Sequence, residues 1–212
     1  MSRASHRALV HRRPERWRCG LRKSSRRPLL AAAVIAFIIA ALTPRLPAQD
    51  SKVAEYRTKA HFLATFPSFV EWPEMAFPSP EAPFLICVRG DFSFGTTLAE
   101  LTRGGSPHGR RVEVRWVHKD QELRNCHIAF VSRSESKRYA KLLQALDGAR
   151  VLTVGETEDF LRDGGAISFS FERETLQFEV NLVAADSAHL RISSRLLALA
   201  RRVVNRAEAA KG

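Results

Sequence analysis

Apolar residues along this chain fall into short unbroken runs and longer helical stripes. Ile128-Ala129-Phe130-Val131 is an unbroken run, and Phe84-Leu85-Ile86-Cys87-Val88 and Val151-Leu152-Thr153-Val154 are similar. A strand covered on both faces needs no polar alternation, so these runs predict core strands of a parallel sheet. A buried helical turn has the same local composition, but after Val131 a helical stripe begins at once from Ser134, which favours strand. Alternation marks a second set of strands. Val112, Val114 and Trp116 alternate with Arg111, Glu113 and Arg115, predicting a half-exposed strand near an edge with the apolar three inward. Ile167, Phe169 and Phe171, then Leu176, Phe178 and Val180, predict a hairpin across residues 172–175.

Helical spacing fills the intervals. Val53, Tyr56, Ala60 and Leu63 form a stripe that Phe62, Phe66 and Phe69 widen, predicting an amphipathic helix over 53–72. Pro67 predicts a kink or break near Phe66, and Trp72-Pro73 ends the element. Pro78, Pro80 and Pro83 make the next stretch a loop. A short helix over 94–102 would turn Leu98 and Leu101 inward. One over 134–146 would bury Tyr139, Leu142, Leu143 and Leu146 and end at Gly148. A short acidic helix is expected over 156–161. A last helix capped by Ser193 or Ser194 would face Leu196, Leu199, Ala200 and Val203 to the core, with Arg195, Arg202 and Arg206 in water. Strands alternating with helices predict an α/β fold. Its sheet is open and mostly parallel, flanked by helices, with the late hairpin as an antiparallel edge.

Charge changes the picture at one end. The chain has 212 residues and a net charge of +12, which at first points to nucleic acid. Ten of the 34 basic residues and one of the 22 acidic residues fall in positions 1–27, so the remainder is nearly balanced. The basic stretch runs into an apolar segment over 29–42, shorter than the roughly 20 residues that span a bilayer. Thr43, Pro44, Arg45 and Pro47 break it. Residues 1–48 therefore read as a secretory signal cut near Ala48, with an uncleaved N-terminal anchor as the alternative. Ser25-Arg26-Arg27-Pro28-Leu29-Leu30 resembles a twin-arginine export signal, a pattern that adjacent arginines also give by chance. Residues 49–212 are left as a single domain, and export places it in the periplasm.

Cys19 leaves with the signal, and Cys87 and Cys126 remain. In an oxidising compartment these form either a disulfide or two buried thiols, and the compartment favours the disulfide. Motifs for chemistry are scarce. The sequence contains no Gly-x-Gly-x-x-Gly, Walker loop, Gly-x-Ser-x-Gly elbow or Cys-x-x-Cys pair, so no catalytic residue, metal ligand or cofactor is assigned. His127 and His189 lack ligand partners at metal spacing and read as structural or solvated. Glu156, Glu158 and Asp159 follow a core strand, where α/β sheets hold ligands, but fit the acidic first turn of a helix better. Phe66, Phe69 and Trp72 form a dense aromatic group that either packs a helix on the sheet or, with Glu71, offers a partner-binding surface.

Several segments resemble the YfiR/HmsC family of periplasmic regulators. These are Phe69-Val70-Glu71-Trp72-Pro73, Ile86-Cys87-Val88, Leu123-Arg124-Asn125-Cys126-His127 and Val151-Leu152-Thr153-Val154-Gly155. Phe178-Glu179-Val180-Asn181-Leu182 and the stretch from Leu190 to Leu197 extend the likeness over nearly the whole mature chain. The resemblance implies a Rossmann-like fold, often dimeric and without enzymatic activity, with a structural disulfide at Cys87 and Cys126. A second cysteine pair found in some members is lacking. It implies repression of an inner-membrane diguanylate cyclase through the cyclase's periplasmic sensory domain, lowering cyclic-di-GMP signalling and biofilm formation. A small-ligand sensor or carrier using a cleft near Asp91 and Gly155, or an adaptor to another membrane receptor, is the alternative.

Overall fold

The three unbroken apolar runs lie side by side as parallel strands. The computed structural model describes residues 47–91, 97–105, 109–173 and 175–205, with side chains from residue 52. The expected export segment, basic over 1–27 and apolar over 29–42, lies outside the described residues. Helix α1 (Pro47–Thr65) leads into a 3-10 turn over Phe66–Ser68. Pro67 sits early in that turn, where its missing N–H leaves no helical bond unmade. The helix thus stops before Phe66, and Val70–Glu71 forms a short strand, β1, instead of carrying the helix to Trp72. A 3-10 turn over Glu74–Ala76 and the proline-rich loop lead to β2 (Phe84–Arg89).

Helix α2 (Thr97–Leu101) buries Leu98 fully, but Leu101 is exposed, contrary to expectation, because so short a helix turns only one residue to the core. Strand β3 (Val112–Val117) follows, then a 3-10 turn over Asp120–Asn125 and β4 (Ile128–Val131). A 3-10 segment, Arg133–Arg138, precedes α3 (Tyr139–Ala145), and Gly148 after it adopts φ 69°. Then come β5 (Leu152–Gly155), α4 (Glu158–Arg162), β6 (Ile167–Glu172) and β7 (Thr175–Asn181). The chain continues through α5 (Leu182–Ser187), β8 (Arg191–Ile192), α6 (Ser194–Leu197) and β9 (Arg202–Val204).

The seven-stranded sheet has the order β3-β2-β4-β5-β6-β7-β9. From β3 to β6 neighbouring strands are parallel. Strand β7 pairs antiparallel with β6 through six residue pairs, and β9 lies parallel to β7 beyond the hairpin. A two-stranded antiparallel sheet joins β1 to β8, with Val70 opposite Ile192 and Glu71 opposite Arg191. Alternate residues of the central strands feed two cores. Ile86, Val88, Ile128, Phe130, Leu152 and Val154 face Ala60 and Leu63 of α1. Cys87, Ala129 and Val131 face Tyr139, Leu142 and Leu143 of α3. The result is a helix–sheet–helix sandwich in which the N-terminal ends of the parallel strands β2 to β6 lie together at one pole and their C-terminal ends at the other. Among the described residues, no helix is long and apolar enough to cross a membrane.

Two expectations fail at the sheet margins. Trp116 is 41% exposed, and Val117 is buried instead, where it packs with Leu123 and Cys87. An edge strand is covered only in part, so alternation loses its inward partner near the strand end. The predicted C-terminal helix stops at Leu197; Leu199 is 67% exposed and Val203 lies in β9. The open edge of β7 recruits this segment, beginning with Arg201 N–H donating to the Phe178 carbonyl at 2.8 Å.

Candidate functional site

The N-terminal ends of β2 and β4 carry an ordered stack of rings. His127, one residue before β4, lies over Phe84 with ring centres 4.7 Å apart and nearly parallel planes. Phe77 also stacks on the imidazole at 4.4 Å, and the Arg110 guanidinium caps Phe77 at 3.9 Å. Trp72 meets Phe84 edge-on at 4.8 Å, and its indole N–H donates to the His127 carbonyl at 3.2 Å. Arg110 also donates to the carbonyls of Ser79, Pro80 and Ala82 at 3.1, 2.6 and 2.9 Å. One side chain thereby holds the proline-rich loop in place, although the loop has no regular structure of its own. Trp72, Phe77, Pro78 and Arg110, with Glu71 and Glu74, line an open groove of ≈ 730 Å³.

His127 is only 3% exposed and packs within the ring cluster. The Leu85 amide donates to its Nδ1 at 2.9 Å, so in the neutral ring the proton sits on Nε2. Burial lowers its pKa to about 4; the Ala76 carbonyl opposes this, and the Arg110 charge adds a smaller push downward. The Ala76 interaction falls short of hydrogen-bond geometry, and Nε2 has no bonded partner. Beside the ring, Cys87 and Cys126 are joined by a disulfide with Cα atoms 5.9 Å apart, tying β2 to the turn that leads into β4.

The sequence-predicted surface residues separate. Phe66 is in the core, 1% exposed, stacked on Phe169 at 5.8 Å and edge-on to Phe178, so it is not available as a surface anchor. The helix break turns it inward with the first turn after α1. Phe69 and Trp72 are half-buried and packed against that core, and Glu71 is exposed on β1. Phe77 and Arg110 complete the surface but carried no sequence signal, since neither lies in a periodic segment.

The opposite pole holds a buried charge cluster. Glu156, expected in an acidic helix turn, precedes α4 and is buried; Glu158 and Asp159 do occupy the first turn of α4 and are exposed. Lys59 donates to Glu156 at 2.5 Å, both side chains being 1% exposed, and pairs also with Glu55. The Arg133 amide donates to the second Glu156 oxygen at 2.7 Å. Burial first, then the Glu156 charge, raises the nearby Tyr56 hydroxyl to about 12. Arg89 pairs with Asp120 at 3.5 Å and Glu135 at 3.8 Å. Near Gly155 and Gly90, where the sequence suggests a cleft, side chains approach the backbone closely. A Cβ on Gly155 would overlap the Phe160 ring, and one on Gly90 (φ 94°) would overlap the Ser132 and Ser134 hydroxyls. Lys59 was legible in principle, because it stands three residues after Tyr56 and four before Leu63, on the inward stripe.

His189 is exposed at φ 57°. Among the described residues, no group of three or more His, Cys, Asp or Glu side chains could hold a metal ion. The arrangement supports non-covalent recognition through a rigid aromatic and basic surface.

Comparison with known proteins agrees with the resemblance seen in the sequence. No curated protein matches the chain. A conserved domain protein of Vibrio cholerae O1 biovar El Tor matches in structure with TM-score 0.42 and 13% identity, over 56% of this chain and 54% of that one. The ABC domain from Streptococcus pneumoniae, solved in complex with L-Trp, matches with TM-score 0.43 and 12% identity, over 57% and 55%. The chain thus spans about half the length of these structures, and likeness at this level carries no argument about function. The YfiR/HmsC-like family model matches residues 56–201, from within α1 to the start of β9, and the chain belongs to the YfiR/HmsC-like family.

Proposed function

We propose that this protein is a periplasmic, non-enzymatic regulator that binds the outer sensory domain of an inner-membrane diguanylate cyclase and lowers cyclic-di-GMP output. Family membership across residues 56–201 is the observation that carries the reading. Export by residues 1–48 belongs to the same proposal. The contact face is assigned to Phe69, Glu71 and Trp72, extended by Phe77 and Arg110, since all of these but Phe69 line the groove at the N-terminal pole and Phe69 adjoins them on the segment before β1. Repression requires only that this face bind the inactive cyclase more tightly than the active one.

Capture of the cyclase's outer domain by the exported protein tests the reading. Reversing charge at the exposed Glu71 and Glu74 (Glu71→Arg with Glu74→Arg) is expected to weaken capture about tenfold or more. Unchanged capture by that variant removes this face from the interface. Failure of the unaltered protein to bind any membrane cyclase removes the repressor reading itself.

A further inference from the structure

Next to the ring stack, on the disulfide side, a second pocket of ≈ 590 Å³ opens at the N-terminal pole. Its walls include Arg115, Arg124 and Arg150 and contain no Asp or Glu. Arg124 is fixed by donating to the Ala145 and Asp147 carbonyls at 2.6 and 3.0 Å. Arg115 is paired with Glu113 at 2.9 Å. Arg150 is different. It is partly buried, its Nε is enclosed without a hydrogen-bond partner, and it makes no ion pair among the described residues. The 97%-buried His127 lines the same pocket with its own partnerless Nε2. Because Nδ1 accepts from Leu85, that Nε2 is a donor.

We propose that this pocket binds a small organic carboxylate. Arg150 makes no ion pair among the described residues and keeps an enclosed Nε without an acceptor, His127 borders the same pocket, and a guanidinium fork matches a carboxylate in shape as well as charge. Met75, Pro78, Pro83 and Leu85 supply apolar wall for a carbon body. The volume lies within the roughly 300–1,000 Å³ of small-molecule sites, well beyond the needs of an inorganic anion. The site stands whether or not a cyclase is the partner, and it lies at the opposite pole from Asp91 and Gly155.

Phenylacetate serves as the probe, titrated into the exported protein while the His127 imidazole is followed by nitrogen-15 NMR and melting temperature is recorded. Phenylacetate is expected to move the His127 Nε2–H signal and raise the melting temperature at millimolar concentration. Arg150→Gln is expected to weaken binding about tenfold or more, Arg150→Lys less, and Arg201→Gln, remote from the pocket, not at all. The proposal is overturned if His127 does not respond, if neutral phenylacetamide or inorganic phosphate binds as well as phenylacetate, or if Arg150→Gln and Arg150→Lys both bind like the unaltered protein.

Discussion

The two poles of the sheet are built on opposite plans. At the C-terminal pole, where open α/β sheets usually receive ligands, two buried cations have internal mates: Lys59 has Glu55 and Glu156, and Arg89 has Asp120 and Glu135. Neighbouring side chains approach the backbone closely there, with Ser132 and Ser134 against Gly90 and Phe160 against Gly155. At the N-terminal pole, rings are stacked, a disulfide ties adjacent strands, and Arg150 and His127 keep donors unmatched. The buried Lys59–Glu156 pair joins α1 to the segment after β5, whereas the N-terminal pole carries the ring cluster and the open groove beside it.

The comparison breaks most readily at Lys59. Lys59→Met leaves Glu156 buried without its cation, and the expected loss is about 3–5 kcal/mol in urea unfolding. Lys59→Met combined with Glu156→Leu should recover much of that loss. An equally costly double variant would assign the anchoring to specific geometry and not to charge balance.

At the other pole, replacing Cys87 and Cys126 together by alanine opens a link between residues 39 apart in sequence. The expected cost is about 4 kcal/mol on the chain-entropy view. Unfolding in urea measures it, and the ring stack should survive in the near-ultraviolet spectrum if the disulfide acts chiefly on the unfolded chain.

The pH dependence sharpens the contrast further. The folded pKa of His127 lies at about 4, below its ordinary 6.5, so the folded state favours the neutral ring. The stabilisation is fully present above about 6.5 and is lost as pH falls from there through about 4. His127→Asn, which keeps an acceptor for Leu85, should flatten melting temperature over that window. An unchanged slope would place the titration elsewhere. The smallest effect is expected for Trp72→Phe, which removes the indole hydrogen bond to the His127 carbonyl and should lower stability by about 1 kcal/mol.

The sheet's centre was readable in the sequence for a physical reason. A strand buried on both faces must be apolar throughout, and Phe84–Arg89 and Ile128–Val131 match their runs closely. The margins were less readable. Leu196, Leu199, Ala200 and Val203 have helical spacing, yet the unpaired edge of β7 draws the last of them into a strand, a gain that local propensity does not contain. The candidate site was half visible. Trp72 and the two cysteines stand in recognisable segments, but Phe77, Arg110 and Arg150 come from aperiodic stretches brought together only by the assembled sheet. Phe66 looked like a surface aromatic because its stripe ran on past the helix end; the break at Pro67 sends it into the core.

Arg110 makes the proline-rich loop a single mechanical unit. Its guanidinium faces a ring on one side and bonds three carbonyls of the loop through Nη1. Such a segment arrives at an encounter already shaped, so little freedom is left to surrender on contact. Selection can then alter Pro78 or Ser79 to suit a new neighbour without rebuilding the platform beneath them. Loss of Arg110 itself would release the whole span at once, turning a firm face into a loose one.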